Sequence, residues 1–122
     1  MRRKKILLVD DSQTILRIEQ MVLREHYDLI TANDGREGVA VAMEQRPDLI
    51  LLDVVMPHVN GFDACRRLRA EEVTRSTPIL LVTSRSDVEH MEQGFRSGCS
   101  DFVSKPIDTM ELLAKVRNCL GD

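Results

Sequence analysis

Three acids stand where hydrophobic runs end. Ile6-Leu7-Leu8-Val9 runs into Asp10-Asp11, and Leu49-Ile50-Leu51-Leu52 runs into Asp53. Two other runs end in different groups: Ile79-Leu80-Leu81-Val82 in the hydroxyls of Thr83 and Ser84, and Phe102-Val103-Ser104 in the ammonium of Lys105, followed by Pro106. Taken singly, an aspartate after a strand is a turn or cap residue, a reading that suits Asp34 and Asp108. Carboxylates gathered in one cleft are another matter, because each opposes the ionisation of the others unless a cation is present. An all-oxygen, acid-rich cleft suits Mg²⁺. A cation, a hydroxyl and a lysine together can manage the oxygens of a phosphoryl group, and a remaining carboxylate can act as its nucleophile.

Whether these groups meet depends on the elements that carry them. Residues 4–10 read as a first strand. Residues 12–26 carry apolar side chains at 15, 18 and 22, with 16 and 23 alongside, which is helical spacing behind an N-cap at Ser12. Residues 27–33 read as a second strand, and 35–46 as a helix with Val39, Ala42 and Met43 on one face, closed by Pro47. The third strand is 48–53. Pro57 and Gly61 then turn the chain into a helix over 62–72, and 78–84 is the fourth strand. Residues 86–98 open with Ser86 and Glu89 in a capping box and close on Gly98; 101–104 is a fifth strand; 108–121 opens with Asp108 and Glu111 and ends at Gly121.

Strand and helix alternate five times, with no internal repeat or linker. Short, uninterrupted apolar strands joined by amphipathic helices imply a parallel sheet covered on both faces, one doubly wound α/β domain over residues 1–122. Ligands bind such sheets beyond the carboxyl ends of the strands, where the strand order reverses. If strands one and three are neighbours, Asp10, Asp11 and Asp53 converge there, with Thr83 and Lys105 on the same rim.

Composition agrees with a single domain. The chain has 122 residues, 43% hydrophobic and 30% charged, and its four aromatic residues leave an aliphatic core. A net charge of −3 does not favour direct binding of nucleic acid or an anionic membrane. Arg2-Arg3-Lys4-Lys5 reads as a solvated leader, since the apolar run after it is too short for a signal peptide, and no run approaches a membrane span. Cys65, Cys99 and Cys119 are odd in number and widely spaced, which points to reduced thiols and a cytoplasmic setting. His26, His58 and His90 form no zinc pattern.

Asp10-Asp11, the run DVVMPHVNG from Asp53, LLVTS with Thr83 and FVSKP with Lys105 together resemble the response-regulator receiver domain of two-component signalling. The resemblance covers essentially the whole chain, with the motifs in the right order on the right strands. It implies a five-stranded sheet of order 2-1-3-4-5, the flavodoxin-like order that chemotaxis regulators share. It also implies that Asp53 is the phosphoacceptor, served by a histidine kinase or a histidine phosphotransfer protein. Asp11, Asp53 and the backbone carbonyl of Val55 would ligate Mg²⁺, for which Mn²⁺ can substitute, and Asp10 would act mainly through water. Lys105 would pair with the acyl phosphate and Thr83 would hydrogen-bond to it. Phe102 matches the aromatic switch position, so that output would pass to a downstream protein or domain through the fourth helix, fifth strand and fifth helix, with a phosphorylation-dependent homodimer as one form. The Lys105–Pro106 bond would be cis. Val55 and Arg85 flank the path of a hydrolytic water in the family; here Val55 has no polar atom to hold one and Arg85 is a poor base, so slow self-dephosphorylation is expected and no turnover enzyme is implied.

Two rival readings use the same residues. A haloacid-dehalogenase-type hydrolase would resemble Asp-x-Asp at the third strand, but position 55 is valine. A phosphorylation-independent scaffold would be free to lose an acid or the lysine, and this chain keeps them all. A stand-alone regulator and a module of a longer protein remain equally compatible with 122 residues.

Overall fold

A computed structural model describes residues 3–84 and 88–122, with side chains at 3–83 and 91–122. In chain order the elements are β1 (Lys5–Val9), α1 (Gln13–Leu23), β2 (Asp28–Ala32), α2 (Gly35–Gln45), β3 (Leu49–Asp53), α3 (Gly61–Ala70), β4 (Ile79–Ser84), α4 (Val88–Ser97), β5 (Asp101–Lys105) and α5 (Thr109–Leu120). The five strands form one parallel sheet ordered β2-β1-β3-β4-β5. The order reverses between β1 and β3, so the strands that end in Asp10 and Asp53 lie side by side, Ile6 to Val9 pairing with Leu49 to Leu52.

Side-chain alternation divides the core in two. Leu7, Val9, Ile50, Leu52, Ile79, Leu81 and Phe102 face α2, α3 and α4, meeting Ala42, Phe62, Ala64, Cys65 and Leu68. Ile6, Leu8, Leu49, Leu51, Leu80, Val82 and Val103 face α1 and α5, meeting Leu16, Leu23, Leu112 and Val116. Most of these aliphatics are fully buried, each contributing about 1.5–3 kcal/mol of transfer free energy.

The helices start where a short polar side chain can cap them. Ser12, Asp34, Asn60 and Asp108 each accept a backbone N–H from the first turn. Gly98 and Gly121 adopt the positive φ expected of glycine at helix C-termini. The Lys105–Pro106 bond is cis, as expected. The proposed box of Ser86 and Glu89 lies outside the described residues. At α5 the box is only half formed. Asp108 accepts from Met110 and Glu111, but the Glu111 carboxylate reaches sideways to the Ser104 N–H at 2.9 Å and so ties α5 to β5.

Three expectations are corrected. Helix α1 stops at Leu23 rather than continuing to 26, and its buried stripe is Leu16, Glu19 and Leu23, rotated from the 15, 18 and 22 that hydropathy favours. Helix α3 ends at Ala70 rather than 72. There Arg69 turns into a cage of carbonyls, donating from Nε to Gly98 at 2.8 Å and from Nη1 to Thr77 at 2.5 Å and Arg75 at 3.0 Å. Of the basic leader, Arg3 and Lys4 are bonded rather than merely solvated. Arg3 donates to the Tyr27 carbonyl at 2.9 Å, and Lys4 holds the Leu120 carbonyl and the Asp122 carboxylate, which also accepts from the Tyr27 hydroxyl.

Candidate functional site

The strand ends place their polar groups at one edge of the sheet. Asp10, Asp11 and Asp53 each offer a carboxylate oxygen within 4.8 Å of the others. Asp10 and Asp53 are buried, whereas Asp11 is exposed. By strand alternation Asp10 and Asp53 lie on the α1/α5 side, following Ile6 and Leu8 on β1 and Leu49 and Leu51 on β3. Lys105 reaches in from β5 and donates to Asp53 Oδ1 at 2.8 Å. Thr83 is buried one residue beyond Val82, the partner of Asp53 across the β3–β4 ladder. The structure therefore brings together Asp10, Asp11, Asp53 and Lys105, with Thr83 on the adjoining strand end. Arg85 lies outside the described residues.

The loop after Asp53 exposes this edge. Gly61 N–H donates to the Val54 carbonyl at 2.8 Å, folding the chain back over the end of β3. A Cβ at position 61 would stand 2.4 Å from the Asp53 carbonyl oxygen, so only glycine permits this approach. Between them Val59 N–H donates to the Pro57 carbonyl and His58 takes a positive φ of 69°. Val55, held on this loop, is 71% exposed.

Electrostatics makes the acids costly. Burial pushes the Asp10 carboxyl up to about 6, helped by Asp53 and Asp11 and opposed by the Ser12 N–H and Lys105. Burial also raises Asp53, against the hydrogen bond and charge of Lys105. For Lys105 burial works downward, but the bond to Asp53 and the charges of Asp53, Asp10 and Glu19 prevail and hold the ammonium above its usual range. Buried Glu19 is the residue that hydropathy missed. Burial first, then the charges of Asp10 and Asp53, hold its carboxyl well above the ordinary range. Its signal was a charge midway along the Leu16–Leu23 stripe, three residues from one and four from the other.

These shifts set a pH dependence. Asp10, Asp53 and Glu19 bind protons more tightly in the folded chain than in the unfolded one, so from about pH 4 upward, and for Asp10 up to about pH 6, the folded state carries the excess. Stability without a divalent cation therefore falls as pH rises through that window. Asp122, held low by Lys4 and Tyr27, acts oppositely, but only at lower pH. In chelator the melting temperature should be several degrees higher at pH 5 than at pH 7.5, and saturating Mg²⁺ should shrink the gap. Thermal unfolding at both pH values checks this; a melting temperature that rises with pH in chelator would contradict it.

Sequence comparison settles the family. The response regulator receiver domain family matches residues 6–117. The chain is a response-regulator receiver domain. It is 43% identical over 115 residues to the response regulator PleD of Caulobacter vibrioides, covering 93% of this chain and 25% of that protein. It spans between a quarter and a half of the length of the curated relatives it matches. Its structure is similar to that of the chemotaxis response regulator CheY4 of Vibrio cholerae, with a TM-score of 0.91 at 34% identity over 97% of this chain and 99% of that one. It is also similar to the receiver domain of the sensor histidine kinase PA1611 from Pseudomonas aeruginosa, with a TM-score of 0.90 at 30% identity over 98% and 99% of the two chains. That structure has a magnesium ion coordinated in its active-site cleft. The receiver domain described here shares their flavodoxin-like order, and no helix among its described residues is long and apolar enough to cross a membrane.

Proposed function

We propose that this receiver domain takes a phosphoryl group from a histidine kinase or phosphotransfer protein onto Asp53 and relays the change through α4, β5 and α5. The observation that carries this reading is the buried Asp53 carboxylate, in a pocket with two further acids and bonded to Lys105. A carboxylate oxygen of Asp53 attacks phosphorus as the bond from phosphorus to the donor histidine nitrogen breaks, leaving the acyl phosphate on Asp53. Lys105 follows the charge to the phosphoryl oxygens, and Thr83 donates its hydroxyl to one of them.

The donor set fits Mg²⁺. It is all oxygen, its carboxylates lie close together, and Asp10 Oδ2 is buried without a partner among the described residues. Asp11, Asp53 and the Val55 carbonyl would hold the ion, with Asp10 behind them. When bound, the ion supplies charge that offsets the clustered carboxylates and the phosphoryl oxygens. The deciding experiment is intact-mass measurement after incubation with a small phosphodonor and Mg²⁺. One phosphate adduct is expected, and its absence would overturn the reading in favour of a phosphorylation-independent scaffold.

Thr83 and Phe102 form the proposed switch. Phe102 is buried, with its ring edge-to-face with Phe95 at 5.0 Å between centroids. Phe95 is 55% exposed and carries the position of Phe102 to the surface of α4.

The phosphate on Asp53 should be long-lived. Val55 beside it has no polar atom to hold a water, and Arg85 stays protonated and is a poor base. The variant carrying Val55→Asn and Arg85→Glu should lose phosphate on the order of tenfold faster, less than a fully positioned general base supplies. The check is to follow adduct decay after donor removal; equal decay in variant and wild type would exclude these side chains as the determinants.

A further inference from the structure

Glu19 has no part in the chemistry above, yet it is 1% exposed. It occupies the middle of the buried stripe of α1, between Leu16 and Leu23, on the sheet face where Asp10 and Asp53 end their strands. An acid buried at such a position costs stability unless something answers it. Ordinary salt-bridge formation does not: among the described residues no hydrogen bond satisfies Glu19 Oε1. The other buried side-chain oxygen in the same condition is Asp10 Oδ2, whose sister Oδ1 is committed to the Ser12 N–H at 2.9 Å. The charges that act on Glu19 are Asp10, Asp53 and Lys105, with Asp10 foremost. The two unpaired oxygens are thus both buried on the face of the sheet that α1 and α5 cover.

We propose that Glu19 is a positioning residue of the cation site, acting through Asp10. The link is one buried water that donates one hydrogen to Asp10 Oδ2 and the other to Glu19 Oε1, satisfying both acceptors whichever protonation state Glu19 holds. With Oδ1 fixed by Ser12 and Oδ2 fixed from behind, the Asp10 carboxylate is locked in orientation toward the ion. Groups behind a metal ligand commonly tune affinity about 10–100-fold; Glu19 stands one step further back, behind Asp10, so the lower end of that range applies. Leucine would suit the surroundings of residue 19 better than glutamate, as Leu16 and Leu23 on the same stripe show, so the acid is retained at a cost to the fold.

This inference rests on the reading of the cleft as a Mg²⁺ site, and the experiment separates the two. Mg²⁺ is titrated into wild type, Glu19→Gln and Glu19→Leu without phosphodonor, following the backbone amide resonances of Asp11 and Val55, and each protein is melted in chelator. Glu19→Leu should melt higher than wild type yet bind Mg²⁺ about tenfold more weakly. Glu19→Gln keeps an acceptor oxygen and should bind within about threefold of wild type. Leucine binding as tightly as wild type would overturn the proposal and leave Glu19 as a merely costly buried acid. Glutamine weakening binding as much as leucine would also overturn it, showing that bulk charge matters and positioning does not. If wild type gave no response to Mg²⁺, the cation reading itself would fall and this inference with it.

Discussion

Asp53→Asn should yield no phosphate adduct under conditions that phosphorylate the wild type fully, and chelation should abolish the adduct on the wild type. Asparagine keeps the shape of aspartate and can still accept from Lys105, but its amide oxygen is a far poorer nucleophile and cannot leave a stable acyl phosphate. The fold should survive, because burial already makes the Asp53 charge expensive and a neutral isostere relieves that cost. The same substitution should therefore leave the melting temperature equal or raised in chelator while eliminating the reaction. Chelation acts differently. It leaves three carboxylates within 4.8 Å of one another with the ammonium of Lys105 bonded to Asp53 alone among them, and an incoming phosphoryl group would add further negative charge. A second acceptor would be revealed by an adduct that persists in Asp53→Asn, and an adduct that persists in excess chelator would remove the cation from the mechanism.

Gly94→Ala should destabilise the domain by about 2 kcal/mol, although alanine is the better helix former by about 1 kcal/mol. A Cβ at position 94 would stand 2.4 Å from Phe102 Cζ, 2.7 Å from Cε1 and 3.0 Å from Leu81 Cδ1. The ring is rigid and enclosed, so it must leave its socket or α4 must lift from the sheet. Phe102→Leu lacks the two ring atoms that clash. The double variant should accordingly be more stable than the sum of the single effects requires, which a double-mutant cycle in urea measures. If Phe102 and α4 form the switch, amide resonances along 91–104 should move in Gly94→Ala without any phosphate. Wild-type stability with unmoved resonances would show that Gly94 is no socket and remove this support for the switch.

The parts of the molecule legible in sequence are those governed by period and chain ends. The four-residue apolar runs before Asp10 and Asp53 announced strands buried on both faces, and the order of the polar groups after them announced the cleft. What sequence concealed depends on how an element is rotated or bent. Hydropathy turned α1 by about one residue and so overlooked Glu19, because it scores an acid as solvent-facing whatever lies opposite. Glu111 was read as a reciprocal cap, but a neighbouring strand end offered its carboxylate the unpaired N–H of Ser104. The leader appeared solvated because its acceptors, the carbonyls of Tyr27 and Leu120, are backbone groups far along the chain. Side chains that bond to distant backbone leave no pattern of residue types to detect.

The Arg69 cage gives the molecule a fulcrum. Its guanidinium grips the carbonyl of Gly98, directly after α4, and at the same time carbonyls of the segment between α3 and β4. One end of α4 is thereby clamped to the body of the domain, and if α4 moves as proposed, its motion should be rotation about that point, with travel growing toward Val88. A helix of 10 residues is about 15 Å long, so a tilt of about 10° moves the far end about 2.5 Å and the clamped end hardly at all. On that proposal, a partner reading this lever would gain the most by gripping it near Val88, and Met91, exposed on the first turns, would sit where the stroke is long.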